Sequence, residues 1–343
     1  MKSYRSTMKD LSFTPEQKAA LTESLLIASQ NRPAKRRAPK RLIALAAAVV
    51  LALSLGTASA TDALKPAGEI FASLFGSSPA QQDAADRMSS AVGVSSSADG
   101  YTITVDAVIG DEYTCYVVYR ITAEDGTPLS IPGLVDAEKE TYLTYFFADA
   151  HGAQHFYDLD PNDGAIQFVE ETTMTSGIVK QTVTKTFRDL SFGEPHNGEV
   201  VAAGPWELTF PLQYENNTLS LPADQLIKLR ENALYLDEVT LSPLSVTVKS
   251  SFDTTINWQN DVQSDPFAPY DQMPTGKQAL SVPLSITLTD GTVMDLNGNV
   301  SSSIGDEDGK TTCVRVSRFE KLIPLNTIES VTIGDVTLPL PKQ

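Results

Sequence analysis

Two histidines four residues apart, His151 and His155, stand among Asp149, Asp158 and Asp160, a spacing that would bring two imidazoles to one helix face as metal ligands. Gly152 and the neighbouring aromatic residues favour a loop, in which that spacing has no such consequence. The run Asp158-Leu-Asp160-Pro-Asn162-Asp163-Gly164 opens like a calcium loop, but its glycine comes one position late and the twelfth residue from Asp158 is Val169 rather than a carboxylate. It reads as an acidic turn, as does Asp306-Glu307-Asp308-Gly309. Trp206 and Trp258 are candidates for exposed recognition aromatics, although a Trp in a strand of a sandwich is more commonly core.

Cys115 and Cys313, about two hundred residues apart, are expected to be single and buried, with a disulfide as the alternative. The sequence has no Gly-x-Ser-x-Gly elbow, no phosphate-cradling glycine loop and no His-Glu-x-x-His. We therefore assign no catalytic, cofactor-binding or metal-binding residues, and the expectation is a protein that is not an enzyme and carries no cofactor.

The element that must position everything else is the stretch Lys35 to Ala60. Lys35, Arg36, Arg37, Lys40 and Arg41 form a basic cluster, and the nineteen residues Leu42 to Ala60 follow without one charged side chain. At ~1.5 Å rise per residue a helix of that length covers about 28 Å, close to the ~30 Å hydrocarbon core of a bilayer. Lys and Arg beside a span resist translocation, so residues 1–41 are expected in the cytoplasm and the remainder outside the cell membrane. Two alternatives compete. Ala58-Ser59-Ala60 fits a signal-peptide cleavage site, although some forty residues precede the apolar run, where a signal peptide totals ~15 to 30. A core helix of a soluble domain would need a polar stripe, and neither face of 42–60 has one.

Charge divides at the same place. Residues 1–41 hold ten Lys or Arg against three Asp or Glu, a net of +7, which with the chain at −17 leaves −24 beyond the span. A region this acidic repels nucleic acid.

In the tail, Thr14 can cap a helix, Pro15 suits its first position and Gln17 completes a capping box, so a helix is predicted over roughly Thr14 to Ser29. Leu21, Leu25, Leu26 and Ala28 form its apolar stripe. About sixteen residues are marginal alone in water, so the stripe needs a protein partner or the membrane lipid surface, unless the tail is a loosely ordered tether.

Beyond the span, residues 61–90 read as a juxtamembrane helical segment with Ile70, Phe71, Leu74 and Phe75 on one side, ended by Gly76-Ser77-Ser78-Pro79. From Val92 the period becomes two. Tyr113, Cys115, Val117, Tyr119 and Ile121 share one strand face, and Thr114, Tyr116, Val118 and Arg120 the other. Strand runs recur to residue 214, pause at a helical interlude over Pro222 to Leu229, and resume to Leu338, with a long loop at Asn257 to Lys277. The expected fold is mainly β: a short cytoplasmic helix in 1–41, one transmembrane helix at 42–60, and two extracytoplasmic immunoglobulin-like β-sandwich domains at 91–216 and 217–343.

Several stretches carry a likeness: Phe13-Thr14-Pro15-Glu16-Gln17-Lys18, Pro66 to Gly76, Ala98 to Tyr119 around Val108-Ile109-Gly110-Asp111-Glu112-Tyr113, Trp206 to Leu212, and Ile328 to Leu340. Through them the chain resembles the anti-sigma-factor-like single-pass membrane proteins of Gram-positive bacteria, whose extracytoplasmic part is classed as a domain of unknown function. The resemblance implies that the tail binds an extracytoplasmic-function sigma factor while the exterior senses an envelope condition. The zinc type of anti-sigma factor has an inner Cys/His module, which residues 1–41 lack. The alternative from another class is a cell-surface adhesion or structural protein with a plain anchor. No residue names the exterior ligand.

Overall fold

The computed structural model describes residues 66–129, 144–147, 153–158, 163–193, 198–229, 232–258, 270 and 273–341. The basic cluster, the apolar run 42–60 and the tail stripe of Leu21, Leu25, Leu26 and Ala28 lie outside the described residues, as do His151 and His196. Among the described residues no helix is long and apolar enough to cross a membrane.

Within the helical segment expected over 61–90, the described residues form two helices. Helix α1 (Ala67–Phe75) follows Pro66 and stops at Gly76, whose φ of 105° a side chain would resist. Helix α2 (Pro79–Met88) begins with a capping box between Ser78 and Gln81 and has proline at its first position. The Gly68 N–H donates to Asp86 Oδ1 at 2.8 Å and ties the two helices together.

Eight strands follow: β1 (Ser89–Ala98), β2 (Tyr101–Gly110), β3 (Thr114–Ala123), β4 (Thr144–Phe147), β5 (Ala153–Tyr157), β6 (Ala165–Thr173), β7 (Thr182–Gly193) and β8 (Glu199–Pro211). They form two antiparallel sheets in the orders β1-β2-β3-β6-β5 and β4-β7-β8. One core joins the sheets, with Tyr119 and Phe168 from the first against Phe187, Phe210 and the fully buried Trp206 from the second. Trp206 is thus core, its indole N–H donating to the Tyr101 carbonyl at 2.9 Å. Lys185 and the buried Glu170 bridge the sheets at 2.6 Å, and the Tyr119 hydroxyl donates to the same carboxylate at 3.0 Å.

A β-bulge at Asp106 shifts the register of β2 between Val105 and Ala107. Before it, Ile103 and Val105 face the sandwich core; after it, Val108 does, while Ala107 and Ile109 turn to the other side. That other side is also dry, because Ile70, Phe71 and Phe75 of α1 cover it together with Tyr116, Val118 and Val169.

The second β-region contains β9 (Leu219–Leu221), β10 (Leu226–Leu229), β11 (Asn232–Leu241), β12 (Ser245–Ser251), helix α3 (Thr275–Leu280), β13 (Leu284–Leu288), β14 (Val293–Asp295), β15 (Val300–Glu307), β16 (Lys310–Arg318), β17 (Ile328–Ile333) and β18 (Val336–Pro339). Its sheets run β10-β11-β12-β16-β15, with β9 also on β11, and β14-β13-β17-β18. A single apolar core is shared by both.

Three expectations are corrected here. The helical interlude expected at 222–229 is an irregular stretch over 222–225 followed by strand β10, whose Ile227 and Leu229 are buried and whose Leu226 and Lys228 are exposed. Four residues cannot reveal a period, and pairing with β11 decides their state. The run 330–338 is two strands, folded back at Gly334 where φ is 60°. The end of the expected loop at 257–277 enters α3.

Candidate functional site

The two β-regions meet at a junction built from one hairpin turn of each. Asp111 follows β2, and its own N–H donates to the Thr114 carbonyl at 2.8 Å. Ser242 follows β11 and repeats the arrangement, its N–H donating to the Ser245 carbonyl at 2.9 Å. The Asp111 carboxylate, 2% exposed, serves both turns. Oδ1 accepts from the N–H groups of Tyr113 at 2.8 Å and Thr114 at 2.7 Å; Oδ2 accepts from the hydroxyls of Ser242 at 2.5 Å and Ser245 at 2.6 Å. Ser242 Oγ in turn accepts from the N–H groups of Leu244 and Ser245, each at 3.0 Å. A buried carboxylate with four donors is a compensated charge, which is why it persists in a dry junction.

Beside this polar node lies an apolar layer. Leu244 and Leu322 from the second region pack with Ile70, Phe71, Phe75 and Tyr116. The Phe75 and Tyr116 rings meet edge to face at 4.8 Å. Leu322 N–H donates to the Phe75 carbonyl at 3.2 Å, and Gln81 Nε2 donates to the carbonyls of Phe75 and Leu322, both at 3.0 Å. Helices α1 and α2 are therefore bound to both β-regions. Arg318 of β16 pairs with Glu171 of β6 across the same junction, and Lys249 sits over the Tyr113 ring at 5.6 Å while holding Glu238 at 2.7 Å.

A cleft of about 280 Å³ opens at this junction. Leu74, Phe75, Tyr116 and Val169 line its apolar side, Glu171 and Arg318 its charged side. His155, exposed on β5, stands at the rim with Asn299 and Glu320. Arg318 Nε is buried in the wall and has no hydrogen-bond acceptor within the protein. Burial pushes the Tyr116 phenol up to about 12 against the opposing pull of Arg318, so it stays neutral across the physiological range. An apolar wall, an ion pair and an orphaned donor are binding groups.

Of the other described residues singled out in the sequence, His155 reaches the rim of the cleft and the rest lie apart from it. His155 is on a strand, not a loop, and among the described residues no group of three or more His, Cys, Asp or Glu could hold a metal ion. Asp163 Oδ1 accepts from the Ala165 N–H at 2.8 Å in a turn. Asp308 and Gly309 form the β15–β16 turn with φ of 51° and 78°. Trp258 is half-buried, donating to Asp306 Oδ1 at 3.2 Å. Cys115 and Cys313 are free and buried. In the sequence Asp111 stands out only as part of the stretch Val108 to Tyr113, and Ser242 and Ser245 not at all; an Asp and a Ser at turns are too common to signal that they meet.

Residues 35–123 match a family model described as a domain of unknown function (DUF4179), a stretch running without interruption from the basic cluster through the apolar run to the end of β3. No curated protein matches the chain. Among solved structures the chain is similar to a conserved domain protein from Bacillus anthracis, at 12% identity over 71% of this chain and 75% of that one, with a TM-score of 0.36.

Proposed function

We propose that this is a membrane-anchored regulatory protein, an anti-sigma factor whose exterior senses an envelope signal. In this reading the stripe of Leu21, Leu25, Leu26 and Ala28 docks on an extracytoplasmic-function sigma factor, burial of each Leu contributing about 1.5 to 3 kcal/mol. Residues 42–60 cross the cell membrane once, held N-terminus inside by Lys35, Arg36, Arg37, Lys40 and Arg41. The exterior is two immunoglobulin-like sandwiches, a description supported by paired antiparallel sheets over shared cores and by the core position of Trp206.

One observation carries the sensing role. Helix α1 begins seven residues after Ala60, and its Leu74 and Phe75 line the cleft between the β-regions. A ligand that favours one arrangement of that cleft acts on the element nearest the proposed span, and does so only through its differential affinity for two arrangements.

Deleting residues 8–31 and profiling transcripts tests the reading. A regulator loses control of a defined transcript set, and a pull-down with residues 1–41 recovers a sigma factor. An unchanged transcript profile together with an empty pull-down overturns the proposal and leaves a surface adhesion or structural protein on a plain anchor.

A further inference from the structure

The composition of the junction cleft restricts what can enter it. Tyr116 of β3 and Glu171 of β6 are direct cross-strand partners, and Val169 lies two positions before Glu171, so the three side chains leave the first sheet on one face. Helix α1 adds Leu74 and Phe75, and the end of β16 with the residue after it adds Arg318 and Phe319 from the second region. The rings of Phe75, Tyr116 and Phe319 are buried and fixed by their packing, whereas Leu74 is half-buried and offers apolar surface for a ligand to cover.

Glu171 and Arg318 form an ion pair in this wall, and each side chain is 19% exposed, so both reach the cleft. The pair leaves hydrogen-bonding capacity on both sides. A guanidinium carries five N–H groups and a carboxylate about four acceptor sites, and Arg318 Nε has no acceptor within the protein. Each charge already faces its opposite, so the wall presents a donor beside an acceptor. Glu320 at the rim adds a further carboxylate. An anion entering here meets Glu171 and Glu320, a cation meets Arg318, and either gives up its hydration against a pair that is already formed. An amide gives up much less, and its C=O and N–H complement a guanidinium beside a carboxylate. At about 280 Å³ the cleft is just below the ~300 Å³ at the small end of ligand sites, room for a compact molecule.

We propose that the junction cleft binds an uncharged amide attached to an apolar group, the chemistry of a blocked hydrophobic amino acid. The amide C=O accepts from Arg318, its N–H donates to Glu171, and the apolar group lies against Leu74, Phe75 and Val169. This assignment rests on the reading of the cleft as the sensing element and supplies the class of its ligand. Binding is measured on the protein alone, so its failure strikes the ligand class, whereas an unchanged transcript profile strikes the regulatory reading and leaves the cleft as a binding site.

The test is calorimetric titration of the full chain in phospholipid nanodiscs, with empty nanodiscs as the blank, at about pH 6, where a free α-amine is charged. N-acetyl-leucinamide is the probe, and the anion N-acetyl-leucine and the cation leucinamide are the comparisons. Saturable binding of N-acetyl-leucinamide is expected, with each charged analogue about tenfold weaker or worse. N-acetyl-alanyl-leucyl-alaninamide distinguishes the source of the amide: tighter binding assigns the cleft to a peptide chain, equal or weaker binding to a free small amide. Leu74→Ala trims a half-buried side chain and is expected to weaken the probe about tenfold with the fold kept. Glu171→Gln removes the ion-pair partner of Arg318 and is expected to tighten N-acetyl-leucine about tenfold, erasing the preference for the amide. A merely structural role for Glu171 would weaken both ligands alike. Should Glu171→Gln fail to fold, Leu74→Ala and the analogue series decide alone. No saturable binding of N-acetyl-leucinamide, a charged analogue binding as well, full binding by folded Leu74→Ala, or unchanged selectivity in folded Glu171→Gln would each overturn the proposal.

Discussion

Asp111 and Ser242, 131 positions apart in the chain, share a 2.5 Å hydrogen bond in a buried junction, and through it one carboxylate closes the turns of two separate β-regions. The two regions are joined by a polar node inside an apolar layer, an arrangement that sets register as well as adhesion. Removing one side of such a node strands several groups at once.

Asp111→Ala leaves the N–H groups of Tyr113 and Thr114 and the hydroxyls of Ser242 and Ser245 without their acceptor. We expect a loss of about 3 to 5 kcal/mol, with Ser242→Ala costing about 1 to 2. Denaturant unfolding of the full chain measures both. Asp111→Asn keeps Oδ1 for the two N–H groups, and the Ser245 hydroxyl can rotate to accept from the new amide while the Ser242 hydroxyl, whose Oγ already accepts from two N–H groups, loses its acceptor, so it is expected to cost less than the alanine variant; an equal loss would contradict the geometry.

Phe75 packs on Tyr116 and passes its carbonyl to Leu322 and Gln81, so α1 is fastened to both regions through one residue. Phe75→Ala is expected to cost about 3 to 5 kcal/mol. Hydrogen exchange should accelerate over residues 67–88 and at the Leu322 amide while the sandwich core around Trp206 keeps its protection. Uniform acceleration across the chain would mean that the helices are not a separable layer.

Glu170 is buried and holds Lys185 across the two sheets of the first region. Lys185→Met leaves that carboxylate with Tyr119 as its hydrogen-bond donor and is expected to cost about 2 to 4 kcal/mol, since the lysine itself is partly exposed. Adding Glu170→Gln removes the stranded charge and should restore most of the loss. A double-mutant cycle in urea reads the coupling.

Alkaline pH is expected to unfold the protein through its buried acids. Burial pushes the thiols of Cys115 and Cys313 from 9.0 up to about 12, and the Tyr116 phenol from 10.0 to about 12. A raised acid keeps its proton in the folded state where the unfolded chain has already lost it, so the folded state binds more protons between about pH 9 and 12. Stability therefore falls with rising pH across that window, and these groups contribute nothing to the pH dependence below it. Thermal melts should descend above about pH 9, and Cys115→Ala with Cys313→Ala should make the descent shallower. An identical descent in that variant would shift the effect to the tyrosines.

The alternation of Cys115, Val117, Tyr119 and Ile121 with Tyr116 and Val118 was legible in the sequence, and both faces of β3 are as the period requires. What the period could not tell is that both faces are dry, since an apolar residue states only that it is to be covered and not by what. The cover on the second face comes from α1, whose own stripe of Ile70, Phe71 and Phe75 is likewise a face that states only that it must be covered. The short strand β10, the Asp106 bulge that inverts the faces of β2, and the serine-rich β15 carry no period long enough to read, and their state is decided by the strands they pair with.

By itself, the sequence determined the mainly β character, the turns at Asp-Gly pairs, the core position of Trp206 as the commoner of two readings, and the division of charge along the chain. Only the tertiary structure decided the sites. Asp111 with Ser242 and Ser245, Glu171 with Arg318, and Arg315 with the carbonyls of Val282 and Leu296 are contacts between residues far apart in the chain. Such pairs acquire their chemistry when folding removes water from between them, because burial is what turns an ordinary turn aspartate into a fastener and a strand arginine into a hub for oxygen acceptors from separate strands and loops.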